Sequence, residues 1–373
     1  MAKNLVDIRN GRIMELDGLR GFAVLGVVIY HMNLAGALNV SNESVHFALS
    51  FFGVNGVHIF FIISGFIITT LLIKEKNREG RVSLSAFYTR RFFRIIPPFA
   101  FYLIILYLCS LAGYLTLNNL NFLWSSLFLS NIHLEGNTVS TSTWFFSHSW
   151  SLSVEEQYYL LFPPLLTVLL KFRLRPVNRT LIAFFFLSLL SLKVAKEASL
   201  MFHPSFILLA AFFQFRYIIV GVFLAFHRER IKKLIAGSGV IVPLSLFISV
   251  LIIYFTKVPT WLSFILTAVD PICFGIFVFW FVENPEKCKL LRWKSIQWIG
   301  SCSYSIYLWQ QLFTGKEIFY NGWTISQSPS SIIPILLIAS LSYYFIEMPI
   351  IRFAKKLLGM SKQETSETVP LNT

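Results

Sequence analysis

The sequence predicts an all-α fold, a polytopic transmembrane bundle of about ten spans, and two observations lead to that prediction. First, 55% of the 373 residues are hydrophobic and only 13% are charged, which is about half the charged fraction of a typical soluble domain. Second, apolar runs of about 18 residues, long enough to cross a bilayer, alternate with short basic loops. We therefore expect an integral membrane protein surrounded by the lipid bilayer.

Charged residues orient the predicted helices. The apolar segments lie near residues 20–37, 51–73, 94–115, 148–170, 180–195, 206–226, 239–256, 259–282, 296–313 and 331–351. With both termini in the cytoplasm, the cytoplasmic segments hold 27 of the 32 Lys and Arg residues, in accord with the positive-inside rule. Topology thus explains the net charge of +14. We expect no nucleic-acid binding, because the basic residues are spread over many short loops.

Two segments fall outside this pattern. Residues 120–132 are apolar but too short to cross a bilayer comfortably, so we expect a re-entrant or interfacial segment within an outer loop of about 114–147. That loop is polar and nearly uncharged, which suits a neutral, hydroxyl-rich ligand and equally an ordinary solvated loop. Residues 355–373 are polar and predict a disordered cytoplasmic tail.

The first span carries two polar side chains on one face. Arg20 and His31 are eleven positions apart, which is nearly three helical turns, and lie about 16 Å apart along the helix axis. Asp17 points in the same general direction. Ionisable groups within a membrane span are costly in free energy, and they indicate a functional site.

Two arginines form a second candidate feature. Arg91 and Arg94 lie three residues apart, on one helical face, at the predicted cytoplasmic mouth of the third span. Two guanidiniums in this position can hold phosphate oxygens in bidentate fashion. Alternatively, they anchor the topology and contact anionic lipid head groups. The spacing alone favours neither interpretation.

A third group of polar residues opens the fourth span. Its members are His148, Trp150, Ser151, Glu155 and Glu156. Two adjacent glutamates inside a span point to a function. Counted from the predicted helix ends, His31 and Glu155 lie at a similar depth, about 9–10 Å below the outer surface. We therefore hypothesise that His31 is a general base and that Glu155 or Glu156 supports its imidazolium.

Six motifs occur in an order that is typical of one known family. They are Asp17-Gly-Leu-Arg20-Gly with His31, Phe60-Phe61-x-x-Ser64-Gly65-Phe66, Arg91-x-x-Arg94-Ile-x-Pro97, His148-x-Trp150-Ser151-Leu-x-x-Glu155-Glu156-Gln157, Ser303-Tyr304-Ser305-x-Tyr307-Leu-Trp309 and Ile346-Glu347-x-Pro349. Over about residues 15–353 the chain resembles the bacterial integral-membrane acyltransferase family 3. This group includes O-antigen, exopolysaccharide and nodulation-factor O-acetyltransferases. Each motif alone is weak, but six in order are specific.

The resemblance implies an O-acyltransferase domain over residues 1–354 in a bacterial inner membrane. It would move an acyl group, usually acetyl, from acetyl-CoA to a carbohydrate hydroxyl. No permanently bound cofactor is expected, and the acceptor glycan and the oligomeric state are left open. Together with the residue patterns, the resemblance gives catalytic roles to His31, Glu155, Glu156 and Arg20, donor binding to Arg91, Arg94 and Arg20, and acceptor binding to His148, Trp150 and Ser151. No metal site is expected, and the cysteines show no metal-ligand spacing.

Three further positions receive no assigned role. His58 stands where many members of this family have Asp or another polar residue, and Gln310 stands where many have histidine. Glu347 matches the family's glutamate before proline, but an interfacial ion pair, with Arg352 five residues away, or a helix-end feature explains it as well.

A transporter is the rival interpretation. In it, Arg20, His31, Glu155 and Arg216 would line a substrate or proton path, since intramembrane ionisable residues are common to both classes. The sequence shows no paired half-repeat of the kind that many transporters have, and its ordered motifs favour the enzyme.

Overall fold

The prediction of an all-α fold is confirmed over the part of the chain that the structure, a computed structural model, describes. That part comprises residues 13–132, 141–170, 178–187, 214–237, 239–240, 244, 248, 260–315 and 328–359. Within these residues the regular elements are helices and turns, without a strand. Three helical stretches are long and apolar enough to cross a membrane, namely Glu43–Glu79, Leu84–Leu111 and Pro329–Leu357. The total of about ten spans stays a prediction.

The helices follow one another with short connections. The first part of the chain forms α1 (Met14–Leu34), α2 (Glu43–Glu79), α3 (Leu84–Leu111), α4 (Asn119–Ser126), α5 (Thr141–Trp144), α6 (Ser149–Leu169) and α7 (Asn178–Leu187). The second part forms α8 (Phe215–Phe226), α9 (Arg228–Ile235), α10 (Thr260–Glu283), α11 (Lys294–Ser301), α12 (Ser303–Phe313), α13 (Ile332–Ser342) and α14 (Met348–Leu357). A π-helical turn, Tyr343–Glu347, joins α13 to α14, and 3-10 turns occur at Pro285–Lys287, Lys289–Arg292 and Pro329–Ser331.

Several predicted segments lie wholly or partly outside the described residues. They are the spans predicted at 180–195, 206–226, 239–256 and 259–282, the middle of the outer loop at 133–140, and the tail beyond 359.

The connection between α2 and α3 is shorter than the sequence suggested. Asn42 starts α2 by accepting hydrogen bonds from the amides of Ser44 and Val45, and Gly80 ends it with a φ of 71°. With 37 residues, α2 is about 55 Å long, well beyond the 30 Å of a bilayer core. Ser83 then caps α3. The arginine pair therefore lies inside a regular helix.

The segment at 120–132 does not cross the bundle as a helix. Its helical part, α4, has 8 residues and packs against α6. Ser125 Oγ lies 2.9 Å from Ser149 Oγ, and Gln157 Nε2 donates to Phe128 O at 3.0 Å. This short helix agrees with the expectation that the segment is not a span.

α2 lies at the centre of the bundle between α1 and α8, and glycines bring these helices close together. A Cβ on Gly65 would lie 2.2 Å from Ile218 O of α8, and a Cβ on Gly221 would lie 2.2 Å from Ile62 O of α2. The contact is thus reciprocal. Small residues permit such backbone approach in membranes, where packing is the main force between helices.

The cysteines serve as packing residues. All four are free thiols, three of them buried and Cys109 partly so. Burial, with the neighbouring Glu15 carboxylate adding to it, raises the pKa of the Cys288 thiol to about 11. A thiol with such a pKa is a poor nucleophile at neutral pH.

The glycine contact between α2 and α8 gives a stability prediction. Gly221→Val places a branched side chain against the backbone of Ile62 and forces the helices apart, so we expect a loss of about 1–3 kcal/mol in stability. Thermal unfolding of the detergent-purified protein measures this as a lower Tm. Phe223→Leu, at an exposed position of the same helix, is the control. Equal Tm values for the two variants would contradict a tight interface.

Candidate functional site

A cleft between five helices collects most of the predicted site residues. It holds about 860 Å³ of empty space, part of it open to solvent. The polar residues that line it are Arg20 of α1, Ser64 of α2, Arg91 and Arg94 of α3, Ser151, Glu155, Glu156 and Tyr159 of α6, and Ser303, Tyr304 and Tyr307 of α12. Apolar residues of α2 and α3 line the remainder.

Arg20 reaches the cleft from α1, whose glycines pack tightly on its other side. A Cβ on Gly18 would lie 2.4 Å from Leu291 O, and Gly21 is similarly close to Ile296. The Arg20 guanidinium lies 4.0 Å from Asp17 Oδ1 and 6.0 Å from the centre of the Phe60 ring. The prediction that α1 presents its arginine to a groove is consistent with this geometry.

The two arginines of α3 lie on one face, and both line the cleft. Arg91 Cζ stands 4.6 Å above the centre of the Tyr159 ring, a cation–π distance that fixes the guanidinium plane. Arg94 is close enough to Arg20 and Glu347 to interact electrostatically with both. Three guanidiniums therefore surround one cavity.

Both glutamates of α6 face the same cavity. Glu155 accepts a hydrogen bond from Ser64, whose hydroxyl oxygen also accepts one from Tyr159 at 3.1 Å. It interacts electrostatically with Arg91 and Arg20. Glu156 is next to Glu155 in the chain and interacts electrostatically with Glu155 and Arg91. The carboxylates partly offset the positive charge of the arginines.

A polar layer closes the cleft at one end. Ser151 Oγ and Tyr307 Oη are 2.6 Å apart, and Tyr307 donates to His148 O at 3.2 Å. The His148 ring is buried between Tyr102 and Tyr307, and neither ring nitrogen has a hydrogen-bond partner in the described part of the chain. Trp150 meets the edge of Phe61 at 6.0 Å. Of the three predicted acceptor residues, only Ser151 lines the cleft.

His31 lies beyond this layer and does not line the cleft. Its Nδ1 donates to Gln310 Oε1 at 3.2 Å, and its ring meets Trp144 edge-on at 5.8 Å. It is an electrostatic neighbour of His148. The hydrogen-bond partner of His31 was not predicted from the sequence, because an isolated glutamine has no characteristic spacing.

The hypothesis that Glu155 or Glu156 pairs with His31 is wrong for this structure, since both carboxylates lie in the cleft with Arg91. The error comes from the helix ends. α1 ends at Leu34, three residues before the predicted end, so His31 lies in its last turn. Glu155 is six residues inside α6 and therefore lies deeper. The catalytic roles of these residues stay predictions.

Glu347 joins the site from the far end of the chain. It is 1% exposed and accepts a hydrogen bond from Ser305 Oγ at 3.0 Å. The π-helical turn at Tyr343–Glu347 turns it toward Arg94, and such turns are frequent at functional sites. The alternative of an ion pair with Arg352 is not seen: the carboxylate faces Ser305 and Arg94 instead.

A second buried polar cluster lies between α2, α8 and α10, away from the cleft-lining residues. Tyr217 donates to Asp270 Oδ2 at 2.6 Å, and Arg216 donates to Tyr217 Oη at 3.1 Å. His58 stacks on the Tyr217 ring at 3.8 Å and contacts Asn55. This agrees with a packing role for His58. Arg216 belongs to this cluster and not to the group around Arg20.

No metal site is found among the residues that the structure covers: they contain no group of three or more His, Cys, Asp or Glu side chains able to hold an ion.

Comparisons with known proteins give matches to acyltransferases. A family described as the acyltransferase domain matches residues 13–350. O-acetyltransferase OatA of Staphylococcus aureus strain MRSA252 is 30% identical over 94% of this chain and 59% of its own length. Putative O-acetyltransferase SACOL0978 of strain COL is 28% identical over 90% of this chain and 57% of its own. The chain thus spans less than three-fifths of these relatives. No solved structure gives a significant match.

The surroundings of the two glutamates predict unequal effects on stability. Glu155→Gln removes a carboxylate that is held by Ser64 and offsets two arginines, so we expect a loss of about 1–3 kcal/mol. Glu156→Gln removes repulsion between neighbouring carboxylates, and we expect little change. Thermal unfolding of both purified variants measures the difference. A Glu156→Gln protein that is the less stable of the two would contradict this account of the cleft.

Proposed function

The chain belongs to the acyltransferase domain family, and from this premise we propose that it is a membrane O-acetyltransferase. It transfers an acetyl group from acetyl-CoA to a hydroxyl of a cell-surface or exported carbohydrate. We place it in a bacterial inner membrane, where cytoplasmic acetyl-CoA reaches one face and the glycan the other. The O-acetyltransferase names of its relatives in Staphylococcus aureus support this type of reaction.

The observation that carries the proposal is the set of three arginines in one cleft. Coenzyme A has several phosphate groups, and guanidinium groups bind phosphate oxygens through paired, charge-assisted hydrogen bonds. Arg91 and Arg94 project from α3 into the same cavity as Arg20. Apolar residues of α2, α3 and α6 also line the cavity, which suits the pantetheine arm. Glu347 and Glu155 keep the guanidiniums in place before the donor binds.

His31 is the proposed general base. It takes the proton of the acceptor hydroxyl while the hydroxyl oxygen attacks the thioester carbonyl carbon. The C–O bond forms, the C–S bond breaks, and the thiolate of coenzyme A leaves and is then protonated. In an alternative route, His31 carries the acetyl group first and passes it to the hydroxyl. In both routes the acetyl end of the donor passes the layer of Ser151 and Tyr307 to reach His31.

The remaining residues have supporting roles in this proposal. His148 and Ser151 lie between the donor cleft and His31, where an acceptor hydroxyl and the acetyl group meet. Glu155 and Glu156 act on the donor side, by balancing the arginines rather than by pairing with His31. Arg20 connects the two groups, because it shares α1 with His31 and the cleft with Arg94.

Removal of the proposed base gives the main test. General base catalysis contributes about 10²- to 10⁴-fold to a rate, so we expect His31→Ala to lower acetyl transfer by at least 10²-fold while the variant still folds and is recovered from the membrane. Purified protein, labelled acetyl-CoA and a candidate glycan provide the measurement. Normal transfer by His31→Ala would remove His31 from the mechanism. Binding of label to the unaltered protein without transfer to any glycan would favour a carrier.

The arginine pair predicts a separate effect on the donor. Loss of a hydrogen bond to a charged group costs about 1.5–3 kcal/mol, or roughly 10- to 150-fold. We expect Arg91→Gln and Arg94→Gln to raise the KM for acetyl-CoA by that factor, with a smaller change in kcat. Arg78→Gln is the matched control, because the Arg78 side chain is 74% exposed and forms an ion pair with Glu79, away from the cleft-lining residues. An unchanged KM in both cleft variants would place donor binding elsewhere.

A further inference from the structure

We infer that Gln310 is the positioning residue of His31: its side-chain carbonyl holds the imidazole in the tautomer that leaves Nε2 free to accept a proton. The inference rests on the proposed function, in which His31 is the base. It concerns a position that received no role in the sequence analysis.

Neighbouring residues hold both Gln310 and His31 in place. Gln310 is fully buried, with 0% of its surface exposed, and its Oε1 lies 3.2 Å from His31 Nδ1. Its backbone is held in α12, where Thr314 Oγ1 donates to Gln310 O at 3.0 Å. Trp144 covers the imidazole from another side with its ring edge. The imidazole plane is therefore set by two neighbours.

The chemistry of the amide determines the tautomer. A carbonyl oxygen only accepts hydrogen bonds, so the ring proton of neutral His31 is on Nδ1. The lone pair is then on Nε2, at the opposite end of the ring from Gln310. This is the arrangement a general base needs, since the hydrogen bond at one ring nitrogen decides the state of the other.

Burying the side-chain amide of Gln310 costs folding free energy, which a functional role for this residue would explain. Gln310 Nε2 has no hydrogen-bond partner in the described part of the chain, and an unsatisfied buried donor is destabilising. A leucine would fill the same space without that cost. The neighbouring Gln311 has other partners: its Nε2 donates to Trp144 O at 2.9 Å and to Ser147 Oγ at 2.7 Å, while its Oε1 has no partner in the described part of the chain. Gln311 holds the outer turn, whereas Gln310 contacts the imidazole.

Because Gln310 is a neutral partner of His31, it affects the pH dependence of acetyl transfer. The amide orients His31 without stabilising its imidazolium as a carboxylate does. Within the described part of the chain, the titratable groups that face His31 are Tyr30, the preceding residue of α1, and His148, directly before α6. Neither is an anion at neutral pH. α12 and the turn at Trp144 present neutral amide and indole groups. The rate of acetyl transfer should therefore rise with pH, and this rising limb of the pH profile should follow the deprotonation of His31.

Two substitutions at Gln310 test the inference. Gln310→Leu removes the hydrogen bond, and we expect kcat to fall about three- to tenfold with the KM for acetyl-CoA unchanged. Gln310→Glu keeps an acceptor and adds a negative charge that stabilises the imidazolium. Its rising pH limb should move to higher pH by about one unit. The measurements are kcat and KM across pH 5–9, with Tm recorded for each protein.

Gln311→Glu is the control, because it adds a carboxylate at equal burial on the same helix without contacting Nδ1. A larger shift of the pH limb for Gln310→Glu supports the inference, and this variant carries the test alone if Gln310→Leu does not fold. Equal shifts of the pH limb in Gln310→Glu and Gln311→Glu overturn the inference. So does the absence of a shift in Gln310→Glu together with a normal kcat in Gln310→Leu. His31→Ala in the same assay separates the proposals: if it stays inactive while the Gln310 variants behave normally, only the role of Gln310 fails.

Discussion

The structure depends on how six charged side chains are held within one apolar bundle. Arg20, Arg91 and Arg94 face a single cleft, and Glu155, Glu156 and Glu347 surround them. In a membrane each of these groups would cost several kcal/mol if it were alone. Together they surround one cavity that is partly open to solvent, and each helix that contributes an ionisable group must have its register fixed. The positions of α1, α3, α6 and the π-helical turn follow from that requirement.

Glycine contacts fix this register. Gly56 and Gly26 let α1 and α2 approach each other, and Gly300 would bring a Cβ to 1.8 Å from Asp17 O if it were larger. α1 is thereby held on two sides by backbone atoms. Phe22 and Ile29 are the exposed large hydrophobic residues of α1, whereas Arg20 faces the cleft. Glycines, which have no functional side chain, thus hold in position the helix that carries Arg20 and His31.

Much of this was predictable, and the remainder shows where sequence patterns carry no information. Periodicity and burial costs identify the helices and assign Arg20, Arg91, Arg94 and Glu155 to a site, because ionisable residues in apolar runs are conspicuous. The partner of His31 was predicted wrongly, since a three-residue error at the end of α1 shifts the depth by about 4.5 Å. Gln310 and Glu347 come from the last quarter of the chain, and only tertiary packing brings an amide or a carboxylate to residues near the start.

The separation of the cleft from His31 fits the proposed reaction. An acetyl thioester exposed to both water and a general base would be hydrolysed, so an enzyme of this kind benefits from keeping them apart until the acceptor is bound. Ser151, Tyr307 and the His148 carbonyl oxygen are linked by hydrogen bonds, and these groups carry no charge. A neutral layer is cheaper to open than an ion pair. In the proposed reaction, the arginines hold the donor on one side while Gln310 orients the imidazole of His31 on the other.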